Sequence, residues 1–204
     1  MSSAERPTFV SAEEYLAAEE LATTKHEYVD GWVRAMTGAT VRHNQVTMNC
    51  LFCFLRALDG KRCQPFHSDM KLRIRDQENS RFYYPDLQII CESNAPSDQF
   101  QDSPTLIVEV LSPSTRQYDL DEKLNAYLSI PSLQWYIILE QHQPIAIVLR
   151  RTDNGFLREV YEGLQAIIDL PGLGCVLPLN EVYRNVEFTS TLVREEELAY
   201  DIDC

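Results

Sequence analysis

Thr105-Leu-Ile-Val-Glu-Val-Leu111 decides the fold. Apart from Glu109 it is apolar from Leu106 onward, and a near-continuous apolar run of this length reads as a strand buried on both faces. Ser112-Pro-Ser-Thr115 breaks the run, and residues 118–128 read as a helix that Pro131 stops. Beyond it, Leu133–Glu140, Pro144–Arg151 and Phe156–Tyr161 are rich in β-branched and aromatic residues and read as strands. Asp153-Asn154-Gly155 supplies the hairpin turn between the last two.

Toward the N-terminus, Phe82-Tyr-Tyr-Pro-Asp-Leu-Gln-Ile-Ile90 reads as another strand, with Pro85 implying an edge or a bulge at its start. Met70, Leu72 and Ile74 alternate with Lys71, Arg73 and Arg75, a strand with one apolar and one basic face. The polar stretch Glu92–Ser103 reads as a loop. Val46, Leu51, Leu55 and Leu58 suit a long helix from Val41 to Leu58, closed by Asp59-Gly60, with His43 in its first turn. Asp30-Gly31 joins two β-prone runs as a hairpin and so puts Glu27 on a strand. Ser11-Ala-Glu-Glu14 opens the first helix as a capping box. No repeat or linker divides the chain. One α+β domain spans residues 1–204, a mixed central β-sheet flanked by helices, with an acidic tail over 187–204.

The chain has 204 residues, 45% hydrophobic and 24% charged, which suits a single globular core and excludes disorder, collagen and coiled coil. A formal net charge of −13 means that any polyanion must be met by a local basic patch or by metal ions. No apolar stretch approaches the roughly 20 residues of a membrane helix, and Met1–Pro7 has no signal-peptide pattern, so no membrane association and a cytoplasmic address are expected. On that expectation the six cysteines, at 50, 53, 63, 91, 175 and 204, read as reduced thiols. Cys50 and Cys53, with Cys63 and His67 downstream, have the beginnings of zinc-ligand spacing. They sit, however, in the apolar helical run Cys50-Leu-Phe-Cys-Phe-Leu55, where a thiol behaves as a small core hydrophobe.

Asp86 and Glu109 carry the chemistry. Each stands in sequence otherwise fit for the interior, where an unpaired carboxylate costs several kcal/mol, so each needs a partner. A shared divalent ion would serve both, since Mg²⁺ takes a few carboxylate oxygens and leaves positions for water and phosphate. Asp119, Lys123 and Tyr127 fall at four-residue steps, on one face of the helix after the Glu109 strand. Lys123 there is suited to orienting a water or neutralising charge on a phosphorane-like transition state, or simply to an ion pair with Asp119. His43 suits a phosphate contact or a helix-end position. Lys71, Arg73 and Arg75, with Arg42 and Arg116, are the cations available to DNA; an ordinary solvated strand face is the alternative for the first three. Trp135 and Tyr136 read as core.

The series Glu27-Tyr-Val-Asp-Gly31, His43, Tyr84-Pro-Asp86, Val108-Glu-Val-Leu-Ser-Pro-Ser-Thr115, Asp121-Glu-Lys123, Tyr127 and Trp135-Tyr136 resembles the "putative restriction endonuclease" family first catalogued as domain-of-unknown-function family 820, within the PD-(D/E)XK nuclease-like superfamily. The resemblance covers about residues 9–186 and implies a restriction-endonuclease-like core. It implies that Asp86 and Glu109 ligate Mg²⁺ or Mn²⁺ with the Val110 carbonyl, and that Glu27 is an additional acid of the site. Leu111 stands where the superfamily motif has lysine, which makes Lys123 the candidate for that role. His43, Lys71, Arg73 and Arg116 become the substrate-binding candidates. The implied activity is metal-dependent endonucleolytic hydrolysis of DNA by a protein that self-associates as a homo-oligomer; the alternatives are a catalytically silent binding module and an interaction protein whose buried acids are satisfied internally.

Overall fold

The computed structural model describes residues 9–36, 38–76, 79–113 and 116–188. The greater part of the expected acidic tail, 189–204, lies outside the described residues. The first helix, α1 (Ala12–Leu21), starts on the expected capping box, with Ser11 and Glu14 exchanging side-chain-to-backbone hydrogen bonds of 2.9 and 3.2 Å. β1 (His26–Val29) and β2 (Trp32–Ala35) form the hairpin, and Asp30 and Gly31 at its tip both have positive φ, the requirement of a two-residue turn of this hand. α2 (Val41–Ala57) follows, capped by the Thr40 hydroxyl on the His43 N–H.

β3 (Gln64–His67), β4 (Lys71–Asp76), β5 (Asn79–Tyr83), β6 (Leu87–Ile90), β7 (Phe100–Gln101) and β8 (Pro104–Leu111) lead to the short helices α3 (Arg116–Leu120) and α4 (Glu122–Leu128). β9 (Trp135–Glu140), β10 (Ile145–Thr152), β11 (Gly155–Glu162), β12 (Ile167–Leu170), β13 (Cys175–Pro178) and α5 (Leu179–Val182) complete the described chain. The strands form a mixed six-stranded sheet ordered β11-β10-β9-β8-β6-β3, a five-stranded sheet ordered β2-β1-β5-β4-β7, and the β12-β13 hairpin. β8 and β9 run parallel, joined through α3 and α4.

The six-stranded sheet is covered on both faces, as the apolar run in β8 requires. Leu106, Val108 and Val110 point to a core with Val46, Cys50, Cys53 and Phe54 of α2. Ile107 and Leu111 point to the other, with Leu72 and Ile74 of β4 and Leu124 and Tyr127 of α4. Cys50 and Cys53 are therefore core thiols, and Trp135 and Tyr136 are buried as expected.

Three expectations are corrected. Residues 82–90 are not one strand: the chain leaves the five-stranded sheet after Tyr83 and enters the six-stranded sheet at Leu87, and Pro85, with no N–H to donate to a ladder, occupies the crossing. The helix after β8 is two, because Asp121 departs from helical geometry between α3 and α4. Cys63 and Cys91 are joined in a disulfide and are not free thiols. The Gln64↔Ile90 pairing of β3 with β6 brings the residues just outside it, Cys63 and Cys91, face to face. Cys204 lies outside the described residues.

Candidate functional site

The crossing from β5 to β6 puts Tyr84 and Asp86 at the junction of the two large sheets. The β6–β8 register, Leu87↔Val108, extends by one step to set Asp86 opposite Glu109 on the same face. Each carboxylate reaches the other strand's backbone. Glu109 Oε2 accepts the Asp86 N–H at 3.3 Å, and Asp86 Oδ2 accepts the Val110 N–H at 2.7 Å. Glu109 is 3% exposed; the Asp86 side chain keeps 17% of its surface in an open cleft of about 540 Å³.

Lys123 enters from α4. Its Nζ lies 3.1 Å from Glu109 Oε1, 3.0 Å from Glu27 Oε1 and 3.4 Å from Asp119 Oδ1. The four-residue spacing survives the break at Asp121, so Asp119, Lys123 and Tyr127 still face the cluster, and the Tyr127 hydroxyl donates to Glu109 Oε1 at 2.9 Å. Glu27, buried on β1, also accepts the Tyr84 N–H at 3.5 Å. His43 projects from the first turn of α2 and brings Nε2 to 3.1 Å from Asp86 Oδ2, with the Val110 carbonyl also in hydrogen-bonding reach.

Four carboxyl groups thus crowd one ammonium and one imidazole. Burial pushes the Glu109 carboxyl well above its usual range; Lys123 pulls against that, and Asp86, Asp119 and Glu27 add to the rise. Burial alone would lower Lys123, but Glu109, Glu27 and Asp119 hold its ammonium well above the ordinary lysine value. Burial likewise opposes His43, yet the hydrogen bond and charge of Asp86 and the Val110 carbonyl raise it.

This donor set fits a hard divalent cation. Asp86 Oδ1 makes no hydrogen bond with the described residues, Glu109 Oε2 makes only the long bond to Asp86, and Val110, whose N–H Asp86 accepts, lines the same cleft. Among the described residues no three His, Cys, Asp or Glu side chains are grouped as a metal cage. Two carboxylates and a carbonyl, completed by water and phosphate oxygens, are the partial set that Mg²⁺ accepts.

The remaining candidates lie elsewhere. Arg73 makes a two-pronged pair with Asp102 at 2.7 Å and stacks on Phe100. Arg116 grips Glu140 through two hydrogen bonds of 2.9 and 2.7 Å, and Arg42 meets His142 at 2.6 Å. None of the three lines the cleft. Lys71 is 6% exposed, so the solvated basic stripe expected of β4 is absent at its start. Its Nζ lies 5.5 Å from the centroid of the Tyr84 ring, which does line the cleft, and burial lowers its pKa against the opposing pull of Glu19 and Glu20. The Glu19 carboxylate, which receives the Tyr84 hydroxyl at 2.9 Å and pairs with His26, braces this wall; nothing in its helical sequence distinguishes it from Glu13 or Glu20.

The chain is similar to several known proteins. An uncharacterized protein of Synechocystis sp., slr1290, is 32% identical over 180 residues, covering 88% of this chain and 94% of its own. A second, sll1609, is 36% identical over 135 residues, 65% of this chain and 75% of its own. A crystal structure described as a putative nuclease belonging to DUF820 from Anabaena variabilis superposes with a TM-score of 0.69 at 16% identity, over 85% of this chain and 97% of that one, and shares the fold. The model of the Uma2 family, described as "Putative restriction endonuclease", matches residues 12–180, and the chain belongs to that family.

Proposed function

We propose that the protein is a metal-dependent endonuclease hydrolysing DNA phosphodiester bonds in the cleft over Asp86 and Glu109. The single observation that carries this reading is the convergence of Asp86, Glu109 and Lys123, 23 and 14 residues apart in sequence, through direct hydrogen bonds and ion pairs. The Asp86 and Glu109 carboxylates and the Val110 carbonyl would hold Mg²⁺ or Mn²⁺. When bound there, the ion would supply Lewis acidity toward water and the phosphoryl oxygens. Lys123 Nζ is a fixed positive charge beside Glu109, suited to holding the attacking oxygen and offsetting charge on the phosphoryl group. Tyr127 keeps Glu109 Oε1 oriented, and Glu27 keeps Lys123 in place. Membership of the family and the shared fold support a nuclease; the donor set supports the metal.

The test is nicking of plasmid DNA in Mg²⁺ or Mn²⁺ by the wild type and by Asp86→Ala. Metal-dependent nicking by the wild type alone is expected; equal activity in both proteins refutes the reading. A catalytically silent binding module is the second reading, favoured by the three carboxyl groups that already engage Lys123. It predicts nucleic-acid binding without cleavage in either ion.

A further inference from the structure

We infer that Glu19 is a positioning residue of this site: from α1 its carboxylate holds His26, the residue before Glu27, and Tyr84, two residues before Asp86, and so fixes the two segments that bring those acids to the cluster. The inference rests on the metal-dependent reading above and adds to it a residue that does not line the cleft.

Three contacts converge on this one carboxylate. Oε1 accepts the His26 N–H at 2.8 Å and the Tyr84 hydroxyl at 2.9 Å, and Oε2 meets His26 Nδ1 at 2.9 Å. The Glu19 side chain is 4% exposed. A carboxylate withdrawn from water this far is costly unless donors or cations compensate, and here the donors come from the two segments that it joins.

The crossing from β5 to β6 depends on that hold. Residues 84–86 belong to neither strand, and Pro85 has no N–H. The Tyr84 N–H reaches Glu27 at 3.5 Å and the Asp86 N–H reaches Glu109 at 3.3 Å, both long bonds. The bond from the Tyr84 hydroxyl to Glu19 is shorter than either. Tyr84 is buried, with the Lys71 and Lys25 ammonium groups 5.5 and 5.6 Å from its ring centroid, so a ring packed this closely passes a shift of its hydroxyl to its own backbone and on toward Asp86.

On β1 the same helix grips His26 from both sides of its backbone, since Tyr15 of α1 donates its hydroxyl to the His26 carbonyl at 2.6 Å while Glu19 takes the N–H. Glu27 follows directly and holds Lys123 at 3.0 Å. Loss of the Glu19 carboxylate therefore reaches Lys123 through Glu27 and the metal-facing carboxylates through Asp86. Groups that orient metal ligands without touching the metal typically cost 10–100-fold in affinity when they are removed.

The experiment reads backbone opening and metal affinity separately in wild type, Glu19→Ala, Glu19→Gln, Tyr84→Phe and, as a destabilised control away from the site, Asp102→Asn. Amide hydrogen exchange in EDTA, followed by NMR, compares the Asp86 and Val110 N–H groups with the β10 amides of the same variant. Relative to β10, the two site amides should exchange about tenfold faster than in wild type in Glu19→Ala and about threefold faster in Tyr84→Phe. Mn²⁺ affinity, from calorimetric titration with the metal alone, should fall by about tenfold and about threefold in the same variants. Glu19→Gln keeps the oxygen that binds His26 and Tyr84, so it should stay within about twofold of wild type in both readouts, as should Asp102→Asn. Site amides that open no more in Glu19→Ala and Tyr84→Phe than in Asp102→Asn, equal losses in Glu19→Gln and Glu19→Ala, or wild-type Mn²⁺ affinity in a folded Glu19→Ala each overturn the inference. If Glu19→Ala does not fold, Tyr84→Phe against Glu19→Gln decides by the same readouts. A wild type that binds no Mn²⁺ refutes the metal reading, and exchange in EDTA still decides the positioning role.

Discussion

Asp86 and Glu109 are cross-strand partners that each bond the backbone of the other's strand, Glu109 Oε2 to the Asp86 N–H and Asp86 Oδ2 to the Val110 N–H. Both carboxylates are thereby held on the cleft side of the sheet before any ligand arrives. A cation entering there meets oxygens already in place, so little side-chain entropy is lost on binding.

Metal binding should therefore stabilise the fold. At ten times its dissociation constant, an ion that binds only the native state adds about 1.4 kcal/mol, or roughly 3–6 °C in Tm for a domain of this size. Thermal unfolding in Mn²⁺ and in EDTA measures it. Asp86→Asn should lose most of the shift, and a shift of equal size in that variant would place the ion elsewhere.

The charge balance around Lys123 sets a second expectation. Glu109→Gln keeps an oxygen for Lys123 and Tyr127 while relieving the crowding that raises Glu109, so stability should change by less than about 1 kcal/mol. Lys123→Ala removes the cation shared by Glu27, Glu109 and Asp119 and should cost about 3–5 kcal/mol, the range for breaking a buried pair. Urea unfolding distinguishes the two. Comparable losses in both would mean that the Glu109 charge, not the lysine, holds the cluster.

Glu109 and Lys123 were legible for a simple reason. A lone acid in an aliphatic run has no cheap explanation, and a lysine four residues from both Asp119 and Tyr127 shares their helix face whether or not the helix is continuous. The partners of Arg73 and Arg116 were not legible: Asp102 and Glu140 lie 29 and 24 residues away, and only the tertiary fold brings them near. Nor does the alternation of Lys71, Arg73 and Arg75 reveal that the five-stranded sheet buries the first of them. Residues 82–90 carry strand-forming aromatic and β-branched side chains on both sides of Pro85, and nothing in that composition says that the halves belong to different sheets. The β12–β13 hairpin also went unread, its eight strand residues being split by the short helical turn Pro171–Leu173.

Acid sensitivity tests the Arg73–Asp102 pair. Burial would raise the Asp102 carboxyl, but hydrogen bonds from Arg73 and Asn94 outweigh it and hold the group below its ordinary value of 3.8. A depressed carboxyl contributes stability that is present above its unfolded pKa and lost as pH falls through the folded one. Asp102→Asn should thus be less stable than wild type by about 1 kcal/mol, evenly across pH 5–8, given the partial exposure of the pair. The gap should begin to close below about pH 4 and vanish as pH falls through the depressed folded value. A gap that stays constant from pH 5 down to the lowest pH at which both proteins remain folded would assign the loss to packing around Arg73 and Phe100.

The Cys63–Cys91 disulfide ties the edge strand β3 to β6, the strand that begins at Leu87 beside Asp86. It closes a 28-residue separation that contains β4, β5 and the crossing at Pro85. Chain-entropy estimates for a loop of that length give about 3–4 kcal/mol, chiefly by restricting the unfolded chain. The Cys63→Ala, Cys91→Ala double variant should accordingly lower the urea midpoint, and a reducing agent should destabilise the wild type by the same amount without affecting the double variant. Because the link stands at the end of β6 away from Asp86, metal affinity of the folded variant should remain within about twofold of wild type. Peptide mapping without reduction identifies the pair directly. Unlinked Cys63 and Cys91 peptides from protein prepared without reductant would refute the bridge, whereas a linked pair with an unchanged midpoint would refute its stabilising role.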